Sequence, residues 1–248
     1  MKKFVLIAAV FFLFQSCNRP SDCVESAGAL TSKQFDFTGF KKIIVYTGIG
    51  VVISQGPEYK VEVKTGANLI DNIEVTMAGD MLTLRDNTKC NWVREYGQTV
   101  VYITTPNLTE IYSKTEKDIV SDGILTFPNL RVVSMDLYDG YSGTGTGDFN
   151  LQVNNDNFTI DTNGISRYTI AGQTTNCAIR VYEAGGIINT QNLISSNVTI
   201  YHRGSNDMTV HPVNSITGDI YNIGNVISYT RPPSATVVEH YQGRLIYN

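Results

Sequence analysis

The stretches 157–164 (NFTIDTNG), 176–185 (NCAIRVYEAG), 197–204 (NVTIYHRG) and 215–224 (SITGDIYNIG) are versions of one pattern: a short run of alternating residues, then a glycine. Gly145, Gly164, Gly185, Gly204, Gly224 and Gly243 follow one another at steps of 19, 21, 19, 20 and 19 residues. Aligned on these glycines, Ile160, Val181, Ile200 and Ile220 stand four positions before, and Phe158, Ile179, Val198 and Gly218 six before. Side chains alternate across a strand with period two, so these positions share one face. Successive passes of the chain stacked about 4.8 Å apart would join them into a continuous apolar core. Thr159, Arg180, Thr199 and Asp219, between them, form a polar outer row. The pattern predicts an all-β chain, a β-helix or β-solenoid with coils of about 20 residues beginning near residue 108. The glycines are expected to supply left-handed or otherwise open conformations at the corners. In the last segment Glu239 falls where an aliphatic residue is expected, which reads as a capping coil.

Upstream, Lys42–Tyr46, Val51–Ile53, Tyr59–Val63 and Val100–Thr104 also read as strands, and Ile73–Thr76 with Met81–Leu84 as a hairpin. This N-terminal strand region is expected to be continuous with the repeats. Trp92 lies in a polar loop, as a packing anchor or an exposed contact. Charged residues make up only 17% of the chain, and Gly, Thr, Asn, Ser, Tyr, Val and Ile dominate, which favours strands over helices.

Lys2 and Lys3 precede an unbroken apolar run, Phe4–Phe14, too short for a bilayer span of roughly 20 residues. Residues 1–16 read as a signal peptide, and Leu13-Phe14-Gln15-Ser16-Cys17 resembles a bacterial lipobox. That resemblance implies cleavage before Cys17 and lipidation of its sulfur, with ordinary secretion and a free Cys17 as the alternative. Two or three acyl chains would anchor the protein stably, at about 0.8 kcal/mol per buried CH₂. Residues 17–34 read as a polar tether and 35–248 as one β domain. Loss of Lys2 and Lys3 takes the formal charge from −4 to −6, and no basic patch suggests nucleic acid. Cys23, Cys90 and Cys177 are odd in number and far apart, so they read as a linker thiol and two buried small hydrophobes. No spacing suggests a metal site or a cofactor.

The run Gly143-Thr144-Gly145-Thr146-Gly147-Asp148-Phe149 resembles the glycine turns of the head GIN domain family, labelled as auto-transporter adhesins and common among lipoproteins of the Bacteroidetes lineage. Gly185-Gly186-Ile187, Gly48-Ile49-Gly50-Val51 with Gln55-Gly56, and Pro106-Asn107-Leu108-Thr109-Glu110-Ile111 are similar to family patterns. The resemblance extends over residues 38–248 and implies a β-helical lipoprotein at the surface or in the periplasm.

Three positions before the aligned glycines lie Asp161, Tyr182, Tyr201 and Tyr221. On neighbouring coils these tyrosines would form an outward ladder, either stiffening the stack or offering a strip for sugar rings or an extended partner. Arg180, Glu183, His202 and Arg203 flank it as polar contacts. Asp136, Asp139, Asp148, Asp156 and Asp161 could supply paired carboxylates for glycoside cleavage, but read as solvated turn residues. His202, His211 and His240 pair with no nucleophile motif, and no GxSxG, HExxH or P-loop signature is present. Asn107, Asn157 and Asn197 begin glycosylation sequons that read as chance.

The sequence therefore predicts a non-enzymatic, lipid-anchored envelope protein, at the outer membrane, that binds a glycan or a protein. Its alternatives are a polysaccharide lyase or hydrolase on the same scaffold, and a structural protein that assembles with itself as a homo-oligomer.

Overall fold

The computed structural model describes residues 26–88, 99–138, 140–143, 145–183 and 185–248. Cys17, Cys23, Cys90, Trp92 and Asp139, with the leader 1–16, lie outside the described residues. The chain is all-β. Its N-terminal half forms β1 (Leu30–Phe35), β2 (Lys42–Tyr46), β3 (Gly50–Gln55), β4 (Lys60–Gly66), β5 (Ile73–Ala78), β6 (Met81–Asp86) and β7 (Val100–Thr105). Then come β8 (Glu110–Lys114), β9 (Ile119–Leu125), β10 (Asn129–Ser134) and the short β11 (Leu137–Tyr138) and β12 (Tyr141–Ser142). Three long strands follow: β13 (Phe149–Thr162), β14 (Arg167–Val181) and β15 (Ile187–His202). The chain closes with β16 (Met208–Val210), β17 (Pro212–Ile220), β18 (Val226–Ser228), β19 (Ser234–Glu239) and β20 (Leu245–Tyr247). All but β11 and β12 join one 18-stranded sheet.

Most of that sheet is parallel and runs as two ladders. The first passes from β2 through β8 and β10 to the C-terminal halves of β13, β14 and β15, then β17 and β19. The second passes from β3 through β9 to the N-terminal halves of β13, β14 and β15, then β16, β18 and β20. Residues of both ladders belong to one apolar cluster, which fills the space the sheet encloses. Phe158, Cys177, Val198 and Ile216 are register partners in the first ladder, as are Ile160, Ile179, Ile200 and Gly218. In the second ladder Phe149 and Tyr168 are partners, and their rings stack at 4.9 Å. Cys177 is buried as expected, and burial pushes its thiol up to about 12.

Parallel pairing reaches further back than residue 108. β2 pairs with β8 (Ile43 opposite Ile111) and β3 with β9 (Val51 opposite Ile119). β6 and β7 pair parallel with β2 and β3 and extend the two ladders by one more step, while the antiparallel pairs β4–β7 and β5–β6, the latter the expected hairpin, conceal the continuity in the sequence. The tether ends earlier than predicted, because residues 30–34 belong to β1, which pairs antiparallel with β4 alone. Its Thr31, Ser32, Lys33 and Gln34 are polar as befits an edge strand rather than a linker.

Two expectations are corrected. Register pairs Ile160 with Ile179 and Thr162 with Val181, so alignment on the glycines shifts alternate levels by two residues. The cause lies in the corners: Gly164 and Gly204 come two residues after their strands end, whereas Gly185 and Gly224 come four after. The corner glycines also do not act through left-handed backbone, since the positive-φ glycines include none of the six. Gly145, Gly224 and Gly243 act by close approach to a neighbouring backbone. A Cβ on Gly224 would lie 2.3 Å from the Asn206 carbonyl oxygen and one on Gly243 2.2 Å from that of Gly224.

Along one corner of the first ladder runs a chain of side-chain amides that the sequence reading passed over. The Asn157 amide donates to Asn129 (2.7 Å), Asn176 to Asn157 (2.9 Å) and Asn197 to Asn176 (3.1 Å), and the Ser215 hydroxyl donates to Asn197 (2.9 Å). Asn157 and Asn197 thus commit their amides to the stack. At the far end Glu239 stands opposite Ile220. Its carboxylate accepts from the Leu245 amide (2.9 Å) and pairs with Arg244 (3.4 Å), closing the apolar column with a polar group.

Because Gly224 sits backbone against backbone, Gly224→Ala forces the corner apart. It should destabilise the fold by about 1–3 kcal/mol, read as a lowered thermal midpoint by circular dichroism. An unchanged midpoint would refute the close-approach role.

Candidate functional site

The solvent face of the first ladder carries two adjoining columns. In one, Asp161, Arg180, Tyr201 and Asp219 are successive register partners. The other continues the ladder one residue beyond each strand. There the Tyr182 amide donates to Thr162, Arg203 to Val181, Tyr221 to His202 and His240 to Ile220, each at 2.8 Å. The two columns interleave into one aromatic row. The rings of Tyr182 and Tyr201 lie 5.5 Å apart, those of Tyr201 and Tyr221 5.2 Å, and those of Tyr221 and His240 4.2 Å with planes 4° apart. The row thus takes one ring from each of four consecutive levels. Its members contact each other at distances typical of aromatic pairs, each pair contributing about 0.5–1.5 kcal/mol. The two tyrosine pairs are tilted, by 46° and 53°, and only Tyr221 and His240 stack face to face. Burial against its neighbours, and then the Asp161 charge, hold the Tyr182 phenol above its ordinary range.

The tyrosines predicted from the sequence are therefore brought together, and Arg180 stands beside them. Its guanidinium bonds Asp161 through Nε (2.6 Å) and a second nitrogen (3.1 Å). Arg131 holds the same carboxylate at 2.6 Å and reaches Glu110 at 3.3 Å. Asp161 is fully buried between the two arginines, which corrects its reading as a solvated turn residue: it lies within β13, and three charge-assisted bonds offset its desolvation.

His202 is also corrected. It is 1% exposed and points into the interior, because it occupies the inward phase of β15, two residues after Ile200. Its Nε2 lies 3.1 Å from the Asn206 carbonyl and so donates to it, and Nδ1 has no partner among the described residues. Burial lowers its basicity, only partly countered by the Asn206 carbonyl and the Asp207 charge. The residue that does extend the strip is His240, whose Nε2 lies 2.8 Å from Asp219. The signal for it was present: His240 stands three before Gly243, in the phase of the tyrosines. Beside the strip is a cleft of about 390 Å³ lined by Tyr182, Glu183, Arg203, Tyr221 and Asn222. The described residues contain no cluster of three or more His, Cys, Asp or Glu side chains placed to hold a metal, and no helix long and apolar enough to cross a membrane.

The family described as “Putative auto-transporter adhesin, head GIN domain” matches residues 39–232. Among solved structures, a “putative adhesin” from Bacteroides fragilis NCTC 9343 is similar, with TM-score 0.79 and 20% identity over 90% of this chain and all (100%) of that one. A second, from Parabacteroides merdae ATCC 43184, gives TM-score 0.62 at 15% identity, covering 89% and 97% of the two chains. A “Putative lipid binding protein” from Parabacteroides distasonis ATCC 8503 gives 0.61 at 12% identity, covering 88% and 97%. At these identities the likeness concerns the fold. The search of curated proteins gave no match.

Buried neutral His202 makes the fold acid-sensitive. Its folded-state basicity lies below the unfolded value near 6.5, so below that pH the unfolded chain takes up the proton first. The stability is therefore complete above that value and declines as pH falls beneath it. His202→Leu should flatten the fall in thermal midpoint on acidification below about pH 6.5. An unaltered slope would show that His202 does not titrate in this way.

Proposed function

The chain belongs to the head GIN domain family, and on that premise we propose that it is a non-enzymatic adhesin or binding module of the cell envelope. In this reading the two parallel ladders are the faces of a β-solenoid, and the outer face of the first is the contact surface for a glycan or protein. The observation that carries it is the unbroken row Tyr182, Tyr201, Tyr221 and His240 beside an open polar cleft. A row that repeats level by level suits a partner that extends along the stack. Tyrosine hydroxyls, the Asn222 amide and the charged groups of Arg203 and Glu183 offer it both donors and acceptors. An enzymatic reading lacks support at this site, since Asp161 and Asp219 are occupied by Arg131, Arg180 and His240 rather than free to transfer protons.

The address follows from the leader. The basic Lys2-Lys3 pair, the apolar run to Phe14 and Cys17 support export and lipidation, with the acyl chains holding the domain at the outer membrane.

Two experiments test this. Full-length chain in mild detergent is applied to an array of glycans and matrix proteins, beside the triple variant Tyr182→Ala, Tyr201→Ala, Tyr221→Ala. Selective retention that the variant loses at least roughly tenfold, while keeping a cooperative thermal transition, is expected. Undiminished retention would contradict the assignment of the surface. Separately, radiolabelled palmitate should enter the chain in a bacterial host and fail to enter Cys17→Ser. Equal labelling of both would remove the anchor.

A further inference from the structure

The charged groups of the strip are not equally committed. Arg131 and Arg180 both grip Asp161, Arg131 also reaches Glu110, and His240 is held by Asp219. Arg203 stands apart. It projects from the column between Tyr182 and Tyr221, it is exposed, and among the described residues no carboxylate lies within ion-pair distance of it. Glu183 is exposed and equally unpaired among the described residues. Yet both line the same cleft, with the two phenols and Asn222, whose amide fixes the Arg203 corner by donating to its carbonyl at 2.9 Å.

A free guanidinium and a free carboxylate sharing one opening define a complementary ligand. It must bring one anion to the fork of Arg203, and beside it hydroxyl donors for Glu183. Flat polar hydroxyls would meet the phenols of Tyr182 and Tyr221. A hexose carrying a carboxylate satisfies all three demands at once. A run of acidic peptide satisfies Arg203 but sets further negative charge against Glu183, and a neutral sugar leaves Arg203 without its partner. We propose that this cleft recognises a carboxylated sugar within a glycan, with Arg203 the residue that selects the acid. The inference rests on the strip being the binding surface. Arg203 is the right donor for this work, since its planar fork meets a carboxylate through two parallel hydrogen bonds that a lysine would not reproduce.

The test uses full-length chain in mild detergent and a panel of uronic-acid and sialic-acid oligosaccharides, each paired with its neutral methyl ester. Sulfated sugars and polyglutamate are further arms. At least one carboxylated sugar should bind, its methyl ester should bind roughly tenfold more weakly or worse, and Arg203→Gln should impose a comparable loss on the acid and a markedly smaller one on the ester. Arg203→Lys should restore little of it. An exposed side chain can be replaced without unfolding the protein, and an unchanged thermal midpoint of Arg203→Gln verifies this. Overturning results are equal binding of acid and ester, preference for sulfated sugars or polyglutamate, no binding by any carboxylated sugar, or indifference to Arg203→Gln. The two readings fail differently. If neutral glycans bind, and the triple tyrosine variant loses them while Arg203→Gln does not, the acid selection falls and the surface stands. If the tyrosine variant loses nothing, the surface itself falls.

Discussion

Parallel strands in register place like positions directly above one another, about 4.8 Å apart, and every row of this molecule must be chemically tolerable at that repeat. The inward rows meet the requirement with aliphatic and aromatic side chains, as in the column Ile160, Ile179 and Ile200. The corner row meets it with asparagine, whose amide is donor and acceptor at once and can hand a hydrogen bond from each level to the next. A charged row can meet it only by varying sign, and Asp161, Arg180, Tyr201 and Asp219 do so. The repeat ends where the chemistry changes: Glu239, turned toward the end of the apolar column, accepts from the chain that follows it.

That constraint also explains what could be read from the sequence. The spacing of the glycines, the period-two alternation and the inward aliphatic residues announced an all-β stack, and the phase three before each glycine located the three tyrosines of the aromatic row but not His240, which shares it. The same alignment misassigned strand partners, because corner length varies by two residues and the glycines mark corners, not strand ends. Period two then preserves the face while moving the partner, which is why Tyr182, Tyr201 and Tyr221 meet although their columns differ. Other features left no local trace. Asp161 is separated from Arg131 by 30 residues, so nothing near it in sequence tells a buried ion pair from a solvated turn. Polarity alone suggests an exposed His202, whereas its phase in the strand points inward. The early pairing of β2 with β8 spans antiparallel pairs that hide it.

The candidate surface gains its character from being part of the stack. Its rings are held by one another and by the backbone hydrogen bonds at their own positions, so a ligand meets groups already ordered, which lowers the entropic cost of association. Beneath it Glu110, Arg131, Asp161 and Arg180 tie four levels together, two carboxylates against two guanidiniums. Arg203 and Glu183, by contrast, sit at corners where no neighbour among the described residues supplies a counter-ion. Within one fold the levels thus separate side chains that are committed to one another from side chains that, in the proposed function, engage a partner.

The register is the claim on which these relationships turn, and paired cysteines test it most directly. In a background of Cys17→Ser, Cys23→Ser and Cys90→Ser, the pair Thr199→Cys with Thr217→Cys joins strand partners whose hydroxyls lie 3.5 Å apart. The pair Thr199→Cys with Asp219→Cys joins the partners that glycine alignment would choose. Mild oxidation should cross-link the first pair rapidly and the second slowly or not at all. Preferential cross-linking of Thr199→Cys with Asp219→Cys would contradict the account, because the columns that assemble the aromatic row would then be displaced by two residues.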